Sequence, residues 1–241
     1  GRGFAARAVR VLVDWAFTDV DQGGLGLRRV EARVAPDDDS SRRVATRAGL
    51  RQEGTERLEA TASSIVYARL VTDPPLSDPT SFRALLNSFL PRKRAIGQVL
   101  VRDTSGRVLL CQLTYKRDWD LPGGVVEVGE SPHLAAGREL TEELGLHIEP
   151  GALLLTDWLP PWGGWDDAVC LVFDGGRHDP DLLDGVVKQQ REIRDARFCT
   201  LDEVDELAAD FTARRIRAAV ASPGGAYTES GRASGTPSGP D

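Results

Sequence analysis

Glu139, Glu142 and Glu143 stand within about one helical turn of one another in the stretch GGVVEVGESPHLAAGRELTEELGL, Gly123 to Leu146. Residues three and four apart are neighbours on a helix surface, and like charges there repel, so the arrangement works against the helix that carries it. A solvated acidic face, partly balanced by Arg138, is the plain alternative, because Glu is a good helix former. A divalent cation held by oxygen ligands would instead turn the repulsion into a shared attraction. Such an ion would also acidify a bound water, and a neighbouring carboxylate could take its proton.

The helix that must position these groups is well marked. Ser131 suits its cap, Pro132 its first position and Gly145 its stop, while Leu140 and Leu144 give it a side to bury. Before it, AIGQVLVRDTSGRVLLCQL reads as a hairpin turning at Asp103 to Gly106, preceded by a short helix near Phe82 to Phe89. After it, AVCLVF and ARFCTL read as buried strands, and TLDEVDEL opens a helix with the Thr200 and Glu203 capping pair. A last helix spans about Thr212 to Val220.

The proline-rich TDPPLSDPTS, Thr72 to Ser81, marks a boundary. The spacing therefore predicts a first unit over 1–72, a linker with a short helix over 73–91, a main domain over 92–221 and a disordered tail over 222–241. In the first unit, RRVEARVA alternates as a half-buried strand, SSRRVATRAGL reads as a helix ending at Gly49, and SSIVYARLV as a further strand.

With 241 residues and 41% hydrophobic content, the chain has enough apolar material for an ordinary core. No apolar run is long enough to span a bilayer, and Arg7, Arg10 and Asp14 interrupt the nearest approach to a signal peptide. Cys111, Cys170 and Cys199 sit far apart in strand-like runs, which fits buried thiols in a reducing, cytoplasmic setting. The net charge is −7, with the excess acidity after residue 72, a poor match for a nucleic acid polymer or an anionic membrane. A small anionic substrate would need a cation between it and this surface.

From Gly124 onward the spacing is Gly, five residues, Glu130, seven residues, then Arg138-Glu139-Leu140-Thr141-Glu142-Glu143-Leu144-Gly145-Leu146. This resembles the box of the Nudix (MutT-type) hydrolases, G-x5-E-x7-R-E-U-x-E-E-x-G-U, at every fixed position, and the likeness extends over about Arg92 to Val220 through WDLPGG and EIRDARFCTLDEV. The resemblance implies an α/β fold, an α/β/α sandwich around a mixed sheet, and metal-dependent hydrolysis of a nucleoside diphosphate linked to another moiety. It implies that Glu139, Glu142 and Glu143 bind Mg2+ or Mn2+, that Arg138 orients them, and that Glu192 supplies a fourth carboxylate; the base is one of these glutamates. Gly124 would let the loop backbone approach the cation or phosphate, and Glu130 would support the loop. In TDWLPPWGGWDDAV, the rings of Trp158, Trp162 and Trp165 either stack on a nucleobase or pack on their own loop. His133, His147 and His178 have no constellation around them and read as ordinary surface or loop residues.

The first unit resembles the second half of a GNAT-type N-acetyltransferase, from GRGFAARAVRVLVDWAF through GLRRVEARVAPDDDSSRRVATRAGLRQEG. That likeness implies a partial GNAT-like α/β unit in which Gly1 and Gly3 are vestiges of an acetyl-CoA loop, with Asp38 where the family's motif has Asn and Ser41 serving the local helix start. The chain starts inside the Gly-rich turn and holds no methionine, so the sequence reads as a fragment. Two rival functions follow: an acetyl-CoA-dependent acetyltransferase with an accessory Nudix domain once the missing half is restored, and a nucleotide-sensing module without turnover. A small nucleotide is the implied partner, and a homo-oligomer is one allowed assembly.

Overall fold

The computed structural model describes residues 3–59 and 63–233. They fall into two compact units, divided between Arg92 and Lys93.

The first unit runs α1 (Phe4–Phe17), β1 (Arg29–Val34), α2 (Asp39–Arg47), β2 (Arg51–Arg57), β3 (Ser63–Leu70) and α3 (Pro79–Phe89). Its three strands are antiparallel in the order β1–β3–β2. Val13 of α1, Ala45 of α2, Val34, Ile65 and Tyr67 close one core. Asp38 caps α2: its carboxylate accepts from the Ser41 N–H at 3.0 Å, and the Ser41 hydroxyl and N–H hold its carboxyl down at about 2. β2 has no apolar residue and hence no alternation to read; it forms through backbone pairing to β3, with an irregularity between Gln52 and Gly54. α3 starts at Pro79, three residues before the predicted Phe82, because Asp78 accepts from the Thr80 N–H at 2.7 Å and Pro79 suits the first turn. Ser88 of α3 accepts from the Gln52 N–H at 3.1 Å, so the helix read as part of a linker packs within the first unit.

The second unit runs β4 (Arg94–Asp103), β5 (Val108–Leu113), β6 (Trp119–Asp120), β7 (Gly123–Val125), α4 (Pro132–Leu144), β8 (Leu153–Leu159), β9 (Ala168–His178), β10 (Ile193–Cys199), α5 (Leu201–Leu207), α6 (Asp210–Ala221), β11 (Ala226–Glu229) and β12 (Arg232–Ala233). The sheet follows β10–β5–β4–β9–β8–β11–β12, with β6 beside β5 and β7 beside β4. It is mixed: β4 with β9 and β8 with β11 are parallel, the other pairs antiparallel. Strand alternation makes two cores. Val99 and Val101 face α4 with Leu140 and Leu144, whereas Leu100 joins Val204 of α5 and Ile216 of α6 on the opposite side. The three cysteines are buried free thiols in these cores.

The helix signals act as read. The Leu134 N–H donates to the Ser131 hydroxyl at 3.3 Å, Gly145 ends α4 with φ 68°, and Thr200 and Glu203 form the reciprocal cap of α5. α6 covers Asp210–Ala221, slightly longer than predicted at both ends. Gly97 lets α4 begin close to β4, since a Cβ there would lie 2.6 Å from the Pro132 carbonyl oxygen.

The predicted tail is in part ordered. β11 lies parallel to β8 and β12 turns back on it, because this segment completes a buried polar site rather than an apolar one. The Thr228 hydroxyl and the Gly231 N–H donate to the fully buried Asp157 carboxylate at 2.8 and 2.9 Å, and Asp157 also faces buried Arg215 at 3.6 Å. Such polar partners leave no hydrophobic period in the sequence. Residues 234–241 of that tail, like Gly1 of the proposed acetyl-CoA loop, lie outside the described residues. Thr228→Val keeps the shape and removes one donor to a buried carboxylate. It is expected to lower unfolding stability by about 1–3 kcal/mol; an unchanged urea midpoint would mean that β11 contributes nothing to holding Asp157.

Candidate active site

α4 carries Arg138 on the side that faces the loop between β7 and the helix. Its guanidinium takes both oxygens of Glu130, Nε to Oε1 at 2.9 Å and Nη2 to Oε2 at 3.1 Å. Its Nη1 donates to Glu139 at 3.0 Å and to Glu142 at 2.9 Å, and Nη2 reaches the Val125 carbonyl at 3.4 Å. The rigid fork thus ties the loop to the helix through several bonds. Glu130 also accepts from the Glu127 N–H at 3.1 Å, closing the loop on itself.

Glu143, one turn beyond Glu139, is buried, and its carboxylate accepts from the Gly123 N–H at 3.0 Å. Gly124 lies against Glu139: a Cβ there would fall 2.5 Å from that carboxylate. The segment before β10 is tied to the end of α4, where Val187 and Gln189 donate backbone N–H groups to the Leu144 and Glu143 carbonyls at 2.8 and 2.9 Å. These bonds satisfy carbonyls that a helix end leaves free. They also bring Glu192 within electrostatic reach of Glu139 and Glu143.

The electrostatics record the crowding. Burial pushes the Glu143 carboxyl up to about 8, and the charges of Glu139, Glu192 and Asp120 push the same way, against the Gly123 N–H bond. Burial also raises Glu139, opposed by Arg138 and reinforced by Glu142 and Glu192. Glu130 is held below the usual carboxylate range by its Arg138 bonds. Asp120, just upstream in WDLPGG, is raised by burial but more strongly lowered by Arg215 and Lys116, so it stays ionised.

A family model for the NUDIX domain matches residues 91–220. The chain belongs to the NUDIX domain family. A "MutT-like protein" of Streptomyces ambofaciens is 33% identical over 122 residues, covering 51% of this chain and 73% of that protein. An "RNA pyrophosphohydrolase" of Roseobacter denitrificans is 38% identical over 78 residues, covering 30% of this chain and 46% of that protein. This chain therefore spans less than half the length of that second relative. A solved MutT protein from Methanosarcina mazei Go1 has 23% identity and a TM-score of 0.47, over 55% of this chain and 96% of that one. A second family model, for the acetyltransferase (GNAT) domain, matches residues 1–51. With a Nudix domain over more than half its length and relatives of these names, the chain is a hydrolase.

Within the Nudix domain the predicted site residues separate into three groups. Arg138, Glu139, Glu143, Glu192 and Gly124 are brought together around the loop and the last turns of α4. Glu142 is drawn to Arg138 and remains half exposed. As they stand, no three carboxylate, imidazole or thiol groups among the described residues form a cluster able to hold a metal ion, and one oxygen of each of Glu139, Glu142 and Glu143 is bonded to Arg138 or to the Gly123 N–H. The tryptophans form the third group. Trp158 lies in β8 rather than in a loop and donates its indole N–H to Asp167 at 3.4 Å. Trp162 and Trp165 are exposed on a tight turn, with Phe211 5.8 Å from the first ring and the Arg94 guanidinium 4.7 Å over the second. At the N-terminus, Gly3 stands at the start of α1 in a left-handed conformation, φ 70°.

Sequence reasoning passed over Asp120, Lys116 and Arg215. Lys116 and Arg215 both bind Asp120, at 2.9 and 3.2 Å, and Gln98 donates to it at 3.0 Å. WDLPGG held the only signal, an acidic residue just ahead of the glycine loop; Arg215 is hidden in the ordinary helical run RRIR.

A carboxyl whose folded value is raised favours the folded state below its unfolded value, and that contribution is lost as pH climbs through the folded value. For Glu143 the window runs from the ordinary glutamate value of 4.5 to about 8. Glu143→Gln is therefore expected to be more stable than the parent above that window in chelator, by up to about 1.4 kcal/mol for each unit of the rise, and to lose the advantage near the lower end. Thermal unfolding across this range checks it; parallel curves would show that burial does not strain this carboxylate.

Proposed function

We propose that this Nudix hydrolase uses a divalent cation, Mg2+ or Mn2+, to hydrolyse the pyrophosphate bond of a nucleoside diphosphate linked to another moiety. The observation that carries the reading is the packing of Glu139 and Glu143 against the Gly123–Gly124 loop, with Glu192 close enough to raise both. An all-oxygen donor set suits a hard divalent cation, and mutual repulsion among half-buried carboxylates is the cost such a charge would offset. Glu139, Glu142 and Glu143 are the residues that would hold it. When bound, it supplies charge neutralisation at the phosphate oxygens and a more acidic water.

The chain's own groups do the rest. Arg138 holds the loop and the glutamates in register, and Gly124, with no side chain, lets the loop backbone lie directly against the Glu139 carboxylate. Water attacks phosphorus, the bridging P–O bond breaks, and the water proton passes to Glu139, Glu142, Glu143 or Glu192. The products are a nucleoside monophosphate and the phosphorylated second moiety. Trp162 and Trp165, exposed on their turn, offer rings for a base. In the first unit, Gly3 at the start of α1 supports a separate reading, acetyl-CoA held by the free N–H groups of that helix end, and acetyl transfer from acetyl-CoA tests it.

The test is release of phosphate, pyrophosphate or nucleoside monophosphate from a panel of nucleoside diphosphate derivatives and nucleoside triphosphates, with an RNA bearing a 5′ phosphoanhydride included. Turnover is expected with Mg2+ or Mn2+, to vanish in EDTA, and to fall by about two orders of magnitude or more in Glu143→Gln. Gly124→Ala, whose methyl group must displace the Glu139 carboxylate, is expected to impair turnover as well. A folded chain that binds nucleotide but turns over nothing on the panel would replace the hydrolase reading with a sensing module.

A further inference from the structure

The first unit holds a concave site that the hydrolase reading leaves unused. It lies beside α2, with buried Tyr67 of β3 and Phe89 of α3 among its walls, and has a volume of about 290 Å3. That is near the small end of the range for small-molecule sites, roughly 300–1,000 Å3.

Its charge is one-sided. Arg42, Arg43 and Arg47 line it against a single carboxylate, Asp39, which is taken up by Arg42 at 3.2 Å. Among the described residues, the Arg43 and Arg47 guanidinium groups have no hydrogen bond or ion pair, and Arg47 meets the rest of the unit through its backbone carbonyl, which accepts from Arg10 at 2.6 Å. The buried Nε of Arg42 also lacks a partner. Arg43 and Arg47 are four apart on α2, the spacing at which like charges repel, so the helix carries an unfavourable pair that no acidic side chain among the described residues bonds.

The remaining walls are Thr46 and two aromatic residues. The Tyr67 ring is buried, with its hydroxyl donating to Gln52 at 3.4 Å, and Phe89 stands at the last residue of α3. A planar guanidinium matches phosphate oxygens two at a time, and an aromatic face accepts a flat ring.

We propose that this pocket binds a small phosphate monoester carrying a flat ring, its phosphate held by Arg43 and Arg47 and its ring against Phe89. The site uses neither the glutamates nor the glycine loop of the Nudix domain, so it stands or falls independently of hydrolysis.

AMP is the probe, titrated calorimetrically into the full chain in EDTA, with ribose 5-phosphate and adenosine as arms that carry only the phosphate or only the ring. AMP is expected to bind more tightly than either, and more weakly as salt rises. Replacing both arginines, Arg43→Ala with Arg47→Ala, is expected to weaken AMP by about tenfold or more, as loss of charge-assisted bonds to an anion requires, and to leave turnover at the Nudix site unchanged. Lysine at both positions keeps the charge without the fork and is expected to bind at an intermediate level, which guards against a folding defect in the alanine pair. Phe89→Ala should weaken AMP but not ribose 5-phosphate. AMP affinity equal in the parent and the doubly substituted chain would place the nucleotide elsewhere and overturn the proposal, as would no AMP binding at all. Binding that depends on the two arginines in a chain with no hydrolytic activity would uphold this pocket while removing the hydrolase reading.

Discussion

The Nudix domain depends on one close approach: β4 and β7 lie against α4 more tightly than side chains would allow. Gly97 admits the Pro132 carbonyl, and Gly124 admits the Glu139 carboxylate. Glycine gives up conformational freedom on folding, so its use here needs a return. The return is a glutamate pair wedged under a loop, where water cannot fully screen the charges. The raised Glu143 carboxyl and the multiple bonds of Arg138 are two results of that proximity. Removing the approach would leave the same residues as a solvated acidic face.

A second polar assembly backs the loop from the other side of the sheet. Asp120 stands at the end of β6, three residues before Gly123, and is gripped by Lys116, Gln98 and Arg215. Arg215 in turn faces Asp157, which β11 and the turn after it complete. A buried ion pair contributes little net stability, but a broken one is costly, so every member constrains its neighbours. The glycine loop is thus fixed at its near end by α4 and at its far end by this chain of charges.

Local signals were legible wherever one residue type has one physical use. Ser131, Pro132 and Gly145 bounded α4, Thr200 and Glu203 opened α5, alternation showed β1, and apolar stretches showed β3 and β9. The box spacing likewise gathered Arg138, Glu139 and Glu143 from the sequence alone. What stayed hidden depends on partners distant in sequence. β2 is polar throughout and exists because β3 pairs with it. β11 read as part of a disordered tail because its contribution is a hydroxyl to a carboxylate seventy-one residues earlier. Arg215 carries no local mark of burial, since a helix places a cation inside only when acidic groups from other elements await it.

That distance matters for how the chain is made. Asp157 emerges from the ribosome long before Thr228 and Gly231, yet two of the donors to its buried carboxylate arrive only with them. Pairings of such separation are slow to form, and an unfinished sheet edge is open to other chains in the meantime. A nascent Nudix domain of this kind carries its glutamate-bearing helix early but lacks the donors to Asp157 until synthesis has passed Gly231. The last strands act as the closing step of assembly, and a stalled or prematurely ended chain would expose β8 as a sticky edge beside a stranded carboxylate.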